Sequence, residues 1–409
     1  MKKRSMTRRA ICGSGVAFLA SAARAEPQHD VTFAEDFDEL WRTLGERYCF
    51  FTDKRTNWDQ VRSLYRPMAL AADTKAVFTD IVRCVLAELY DAHTHLVDPP
   101  NGAPRWPLYD IFAKRIEGEV RVVAIEDGSA AADSGLMIGD RIVSINGRPI
   151  EFVIRDLMPK CLTQQDPAAD AHTINVAVAG YRGKARVLSV QSSKAILRSI
   201  NLPLKKWREQ PDVESRRLTG GVGYIVIRSF ADNATIDAFD KALENLQDAP
   251  GLIIDVQDNG GGDTAVARPI MGRFIGERMP YALMRRRGGP SLSAPWTEYV
   301  EPKGPFTYRK PVVVLTSHWS GSMAEGFPMG MRDIGGATIV GTKMMGLGAA
   351  VFPIYLDRTG LQAQYSGEPI YDTKGQPRSQ FVPDIVVTNG KNILAAGIVE
   401  LEKLIAGTR

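Results

Sequence analysis

The stretch PVVVLTSHWSGSMAEGF, Pro311 to Phe327, changes character twice. Pro311 to Thr316 read as a buried strand, Ser317 to Ser322 as a turn of small polar residues, and Met323 onward as a helix. A serine at a strand-to-helix turn has an exposed hydroxyl beside the free N–H groups of a helix start, where hydrolases place a nucleophile. Small polar residues also make ordinary turns and helix caps. Ser320 and Ser322 fit equally, and the pattern alone does not choose between them.

The segments on either side repeat the alternation. Upstream lie a strand in GGVGYIVIRSF, a helix in TIDAFDKALENLQ, and an apolar strand ending in glycines in GLIIDVQDNGGGDT. Downstream come ATIVGTKMMGLG, AVFPIYL and FVPDIVV. Buried strands alternating with helices predict an α/β domain over residues 215–409, with functional loops at the strand ends. The glycine loop could also cradle a phosphate, but no Walker lysine or spaced dinucleotide fingerprint comes after it.

The chain opens differently. MKKRSMTRRAICGSGVAFLASAARAEP has a basic start, a short apolar run and ARA before Glu26, so residues 1–25 are expected to be a secretory signal peptide, cut after Ala25. The signal implies export to the periplasm or beyond; the TRR at Thr7 to Arg9 fits a twin-arginine signal, although paired arginines also occur in ordinary ones. Six of the 51 basic residues and none of the 47 acidic ones lie in this leader, so the mature chain carries 45 basic against 47 acidic residues, a net charge of −2. Nothing there supports nucleic-acid binding. No later apolar run is long enough to span a membrane. Cys49 and Cys84 could pair in an oxidising compartment or remain buried thiols, and no cysteine has metal-ligand spacing.

Residues 26–100 read as a helical region. FAEDFDELWRTLGERY places Phe33, Phe37, Leu40, Trp41, Leu44 and Tyr48 at helical spacing, and TKAVFTDIVRCVLAELYDAHTHL repeats the pattern. VDPPNGAPRWP breaks it as a linker. From there the period becomes two, and SAAADSGLMIGDRIVSING closely resembles a PDZ module, placed at residues 105–205. PDZ folds bind extended peptides by strand addition. The usual carboxylate-binding loop before the first strand is not recognisable here.

The order LYDAHTHL, PDZ module, DVQDNGGG, SGSMAE and VPDIVV resembles the tail-specific (carboxy-terminal processing) serine peptidase family, and the resemblance covers essentially the whole mature chain. It implies a multi-domain α/β protein whose catalytic domain is crotonase-like and built of ββα units. It also implies a serine endopeptidase acting on extended polypeptides through an acyl-enzyme, with no cofactor and no metal. In that family the nucleophile is the serine followed by a small or apolar residue, Ala and Glu, which maps to Ser322. The lysine base of one branch would fall 25 residues later, where this chain has Leu347. Leucine cannot accept a proton, which excludes a Ser-Lys dyad; Lys343 reads as a surface charge.

The tricorn-core branch uses a histidine instead, and DAHT matches its signature at His93. An imidazole titrating near 6.5 can take the serine proton and return it to the leaving amine. His318, close to Ser322 in sequence, is the rival base. By resemblance a distant glutamate orients the base, and Glu368 is the expected residue; Ala92 stands where the branch has a serine. Asp91 is expected to shape the histidine loop and Glu325 the helix start. DNGGGDT resembles the family's NPGG loop, with Gly261 or Gly262 as one oxyanion donor and the Met323 amide as the other. The alternative reading, prompted by the missing lysine and Ala92, is a catalytically inactive peptide-binding protein of the same fold.

Overall fold

The computed structural model describes residues 31–107, 109–205, 210–388 and 392–407. The leader, with its cleavage and twin-arginine expectations, lies outside them.

The C-terminal half is organised by a six-stranded sheet in the order Ile385–Val386, Thr338–Gly341, Val312–Thr316, Leu252–Asp255, Gly223–Ile227, Val213–Arg217. All neighbours are parallel except the last pair. Parallel strands need cover on both faces, and the period-two alternation supplies it. Ile225, Ile227, Leu252, Ile254, Val312 and Val314 face the helices Ala234–Asn245, Thr264–Met271 and Met323–Gly335. Tyr224, Ile253, Val313, Leu315 and Val340 face the C-terminal helix Ile393–Gly407. Each fully buried aliphatic side chain contributes roughly 1.5–3 kcal/mol. The loops that leave the carboxyl ends of three adjacent strands therefore lie side by side.

A second sheet is antiparallel. Its long strand Leu361–Tyr371 pairs with Ala349–Leu356, Met279–Met284 and the short segment His95–Leu96. The N-terminal helices Val31–Arg47, Trp58–Leu70 and Lys75–Ala87 do not form an isolated bundle. Phe37, Leu40, Leu44, Val82 and Val85 share one core with Ile354, Leu356, Ala363 and Tyr365 of that hairpin. This docking brings the DAHTHL segment to the C-terminal half of the chain.

Between these parts sits the PDZ-like module, a sheet in the order Ile111–Ile116, Glu119–Ile125, Arg141–Ile145, Arg186–Gln191, Leu197–Leu202 with a core of its own. Helices Ile150–Leu157 and Pro167–Ala179 pack on it. Cys49, Cys84 and Cys161 are free thiols, and burial pushes the Cys49 thiol well up, so it stays protonated. Among the described residues no helix is long and apolar enough to cross a membrane.

Candidate active site

Ser322 stands where the strand Val312–Thr316 has turned into the helix Met323–Gly335. Its backbone is at φ 53°, ψ −117°, a region that L-residues other than glycine rarely occupy. Of residues 320–331 it alone is not buried. The helix behind it is thirteen residues long, so its N-terminal dipole and open amides favour negative charge at this point.

The fold also separates the two serines. Ser320 is fully buried, its hydroxyl donating to the Val256 carbonyl at 2.7 Å and accepting from Ser317 N at 2.9 Å. It ties the turn to the neighbouring strand end. Ser322 is the residue left facing outward.

Asn259 joins the glycine loop to the serine turn. It is fully buried; its amide group donates to the Ile227 carbonyl at 3.0 Å and accepts from Gly261 N at 2.8 Å, while its carbonyl accepts from Gly321 N at 2.9 Å. Gly261 is at φ +113°, and a Cβ there would lie 2.6 Å from Ser322 Cβ and 3.0 Å from Met323 N. The residue must be glycine for the loop and the turn to touch. The Gly261 amide, expected as an oxyanion donor, is thus taken by Asn259. Gly262 carries no such bond: its neighbours Gly261 and Asp263 pair with Phe230, which leaves its own N–H turned away from that ladder. The amides of Gly262 and Met323 have no acceptor among the described residues.

Glu325 performs the role expected of it at the helix start and reaches further. Its buried carboxylate accepts from Ser322 N at 3.1 Å, Leu347 N at 2.7 Å and Gly346 N at 3.0 Å. Burial raises its carboxyl above the ordinary value, against the pull of Arg378 and these three amides. Residues 346–349 are therefore clamped beside the serine turn, and the Leu347 side chain comes within 3.4 Å of where a Gly321 Cβ would stand. An apolar side chain, not an amine, thus lies against Gly321. Lys343 is exposed.

His93 reaches the same segment from the N-terminal region. The pairing of His95 and Leu96 with Gln364 and Ala363 fixes its loop. Asp91 accepts from His93 N at 2.9 Å, Thr94 Oγ1 at 2.8 Å and Ser366 Oγ at 2.7 Å, while Gln364 donates to the His93 carbonyl at 3.1 Å. The His93 ring is buried beside the Ala349 carbonyl, with Nδ1 lacking a hydrogen-bond partner among the described residues. Desolvation lowers its pKa to about 4; the Asp91 carboxylate pulls the other way. Ser322 and His93 thus both abut residues 346–349, one through Glu325 and Gly321, the other through Ala349.

Sequence inspection did not single out Arg378, which holds that segment from behind. Its buried guanidinium donates to the Leu347 and Ala349 carbonyls, the latter at 3.0 Å. Burying a guanidinium against carbonyls is costly unless its donors are filled. Its signal was weak, a lone arginine in GQPRSQ with no periodicity around it. Glu368 is buried, and Arg286 bonds its carboxylate, Nε at 2.6 Å; no hydrogen bond joins it to His93. It lines a cavity of about 240 Å³ together with Met323, Gly326, Ala350, Arg268 and Arg378. His318 is stacked on Phe112 of the PDZ-like module, with ring centroids 4.7 Å apart.

Three regions of the chain match known domains: residues 29–87 the tricorn protease C1 domain, 112–158 the PDZ domain, and 221–387 peptidase family S41. The carboxy-terminal processing protease CtpB of Bacillus subtilis (strain 168) is 27% identical over 291 residues, 68% of this chain and 55% of that protein. The chain thus spans about half the length of this curated relative. Among solved structures, mature CPAF superposes with a TM-score of 0.62 at 16% identity, over 92% of this chain and 97% of that one. The photosystem II D1 C-terminal processing protease does so at 0.53 and 19%, over 87% and 93%.

Proposed function

We propose that this chain, which belongs to peptidase family S41, is an exported serine endopeptidase cutting extended polypeptides through an acyl-enzyme on Ser322. The observation that carries this reading is Ser322 itself: accessible at a strained turn on a helix N-terminus, with Gly261 packed against its Cβ.

In this reading His93 takes the Ser322 proton as the hydroxyl attacks the scissile carbonyl. The imidazole is ready to do so, since desolvation keeps it neutral down to about pH 4. The imidazolium that forms is balanced by the Asp91 carboxylate, which also holds the loop. The oxyanion falls to the open amides of Met323 and Gly262, aided by the helix dipole; losing one such donor costs about 3–4 kcal/mol of barrier. The imidazolium then protonates the leaving amine, and water attacks the acyl-enzyme by the same route in reverse. Glu368, paired with Arg286, belongs to the wall of the adjoining cavity rather than to the base. Leu347, Arg378 and Glu325 hold the segment between serine and histidine in one shape. Ser322 is not buried, and the amides of Met323 and Gly262 have no acceptor among the described residues, which supports the active reading over the inactive one. Export rests on the leader read from the sequence.

The test compares wild-type protein and Ser322→Ala on casein and on a fluorogenic peptide. Hydrolysis should vanish in the variant with its melting temperature essentially unchanged. Hydrolysis retained by Ser322→Ala would refute the assignment.

A further inference from the structure

The strand Ile111–Ile116 is one of the two edge strands of the PDZ-like sheet, the one bordered by the helix Pro167–Ala179, where an incoming peptide would add between strand and helix. It is not vacant. Asn175 on the helix Pro167–Ala179 accepts from Ala113 N at 3.0 Å and donates to the Ala113 carbonyl at 3.1 Å. These are the two main-chain bonds a peptide strand would make at that residue, and both Asn175 and Ala113 are buried. One strand position further along that face, Arg115 closes the groove again with a two-pronged pair to Asp170 of the same helix, both contacts at 2.9 Å, and a second pair to Glu151.

The same helix is linked to the nucleophile turn by a run of aromatic contacts. His172 meets Trp106 edge-on at 5.8 Å, Trp106 meets Tyr109 at 4.6 Å, and Tyr109 stacks on Trp319 at 5.9 Å. Polar bonds fix the last step: Tyr109 Oη donates to the His318 carbonyl at 2.7 Å, and Trp319 Nε1 donates to the Tyr109 carbonyl at 3.1 Å. Phe112, on the edge strand itself, stacks on His318. Trp319 and His318 lie three and four residues before Ser322.

We propose that the PDZ-like module does not recruit peptide on the edge strand Ile111–Ile116. Its own helix seals that edge through Asn175, and the sealed strand serves as a fixed brace for the nucleophile turn, with Tyr109 and Trp319 as positioning residues. Recruiting a peptide on this edge would require breaking both Asn175 bonds to Ala113, the residue next to Phe112. Substrate selection then falls to the catalytic cleft. The bracing half rests on Ser322 as nucleophile; the sealed edge does not.

The experiment compares Tyr109→Phe and Asn175→Ala with wild type on a short fluorogenic peptide, long enough only for the cleft, and on an unfolded polypeptide. Tyr109→Phe removes a single hydroxyl and is the variant expected to fold normally. A brace predicts a fall in kcat of about fivefold, the worth of one hydrogen bond, equal on both substrates and with KM unchanged. A loss confined to the long substrate and appearing in KM would overturn the proposal. Hydrogen exchange on the Ser322→Ala protein gives a readout free of catalysis. The Ala113 amide should be strongly protected without ligand, and Tyr109→Phe should speed exchange at residues 317–323. A rapidly exchanging Ala113 amide would refute the sealed edge even if Ser322 proved not to be the nucleophile.

Discussion

Replacing Gly261 by alanine tests the closeness of the glycine loop to the serine turn. The added methyl would stand 2.6 Å from Ser322 Cβ, 2.8 Å from the Gly321 carbonyl oxygen and 3.0 Å from Met323 N. Carbon atoms rest about 3.5–4.0 Å apart, so one side must retreat by roughly 1 Å. The loop is anchored by Asn259 to the floor of the sheet, which leaves Ser322 and the Met323 amide to move. A displacement of about 1 Å at reacting atoms costs on the order of 10²-fold in rate. The unfavourable φ of +113° adds about 1–3 kcal/mol of strain, enough to lower the melting temperature without preventing folding. The assay is kcat/KM on a fluorogenic peptide alongside a thermal melt. Gly260→Ala is the control, because its methyl meets nothing within 4 Å and it should remain active. Gly261→Ala with activity within a few-fold of wild type would refute the inferred contact.

Further outcomes are expected from the same geometry. Ser320→Ala should keep its activity while losing about 1–3 kcal/mol of stability in urea, since it leaves Ser317 N unpaired in the interior; a dead but stable variant would reverse the roles of the two serines. Glu325→Gln should destabilise by about 2–4 kcal/mol, because an amide offers one oxygen where the carboxylate's two serve three buried N–H groups; an unchanged urea midpoint would contradict the clamp. Folding depresses the His93 pKa to about 4, and the neutral ring is the active form, so kcat/KM should rise with pH through that value and be flat across 6.5. An acid limb centred at 6.5 or above would mean that a solvated group, not this buried imidazole, takes the proton.

Much of this was legible along the chain. The apolar run of Val312 to Leu315 and the glycines after Val256 announce buried parallel strands and a bare loop, because burial on both faces and close approach each impose a residue type. The choice of Ser322 over Ser320 came from family resemblance; the fold shows how the two differ, since the Ser320 hydroxyl is buried against the Val256 carbonyl and Ser322 is not buried. What remained hidden depends on contacts between distant segments. Asn259 taking the Gly261 amide shifts the open donor to Gly262, and Arg286 claims Glu368 from 82 residues away. Asn175 sits in an apolar helix as an ordinary polar residue until the strand beside it is seen. Arg378 looks like a surface charge, yet it is buried and organises the segment between the two halves of the site.

Catalysis here requires that the turn after Val312–Thr316 hold an alcohol activated by an imidazole from the N-terminal region. The decisive experiment treats the purified protein with a fluorophosphonate and locates the adduct by mass spectrometry, since only an activated serine reacts readily. The adduct should form on Ser322 in the wild type and be nearly abolished in a folded His93→Gln variant. An adduct on another serine, or equal modification of Ser322 without His93, would show that this pair does not carry the chemistry.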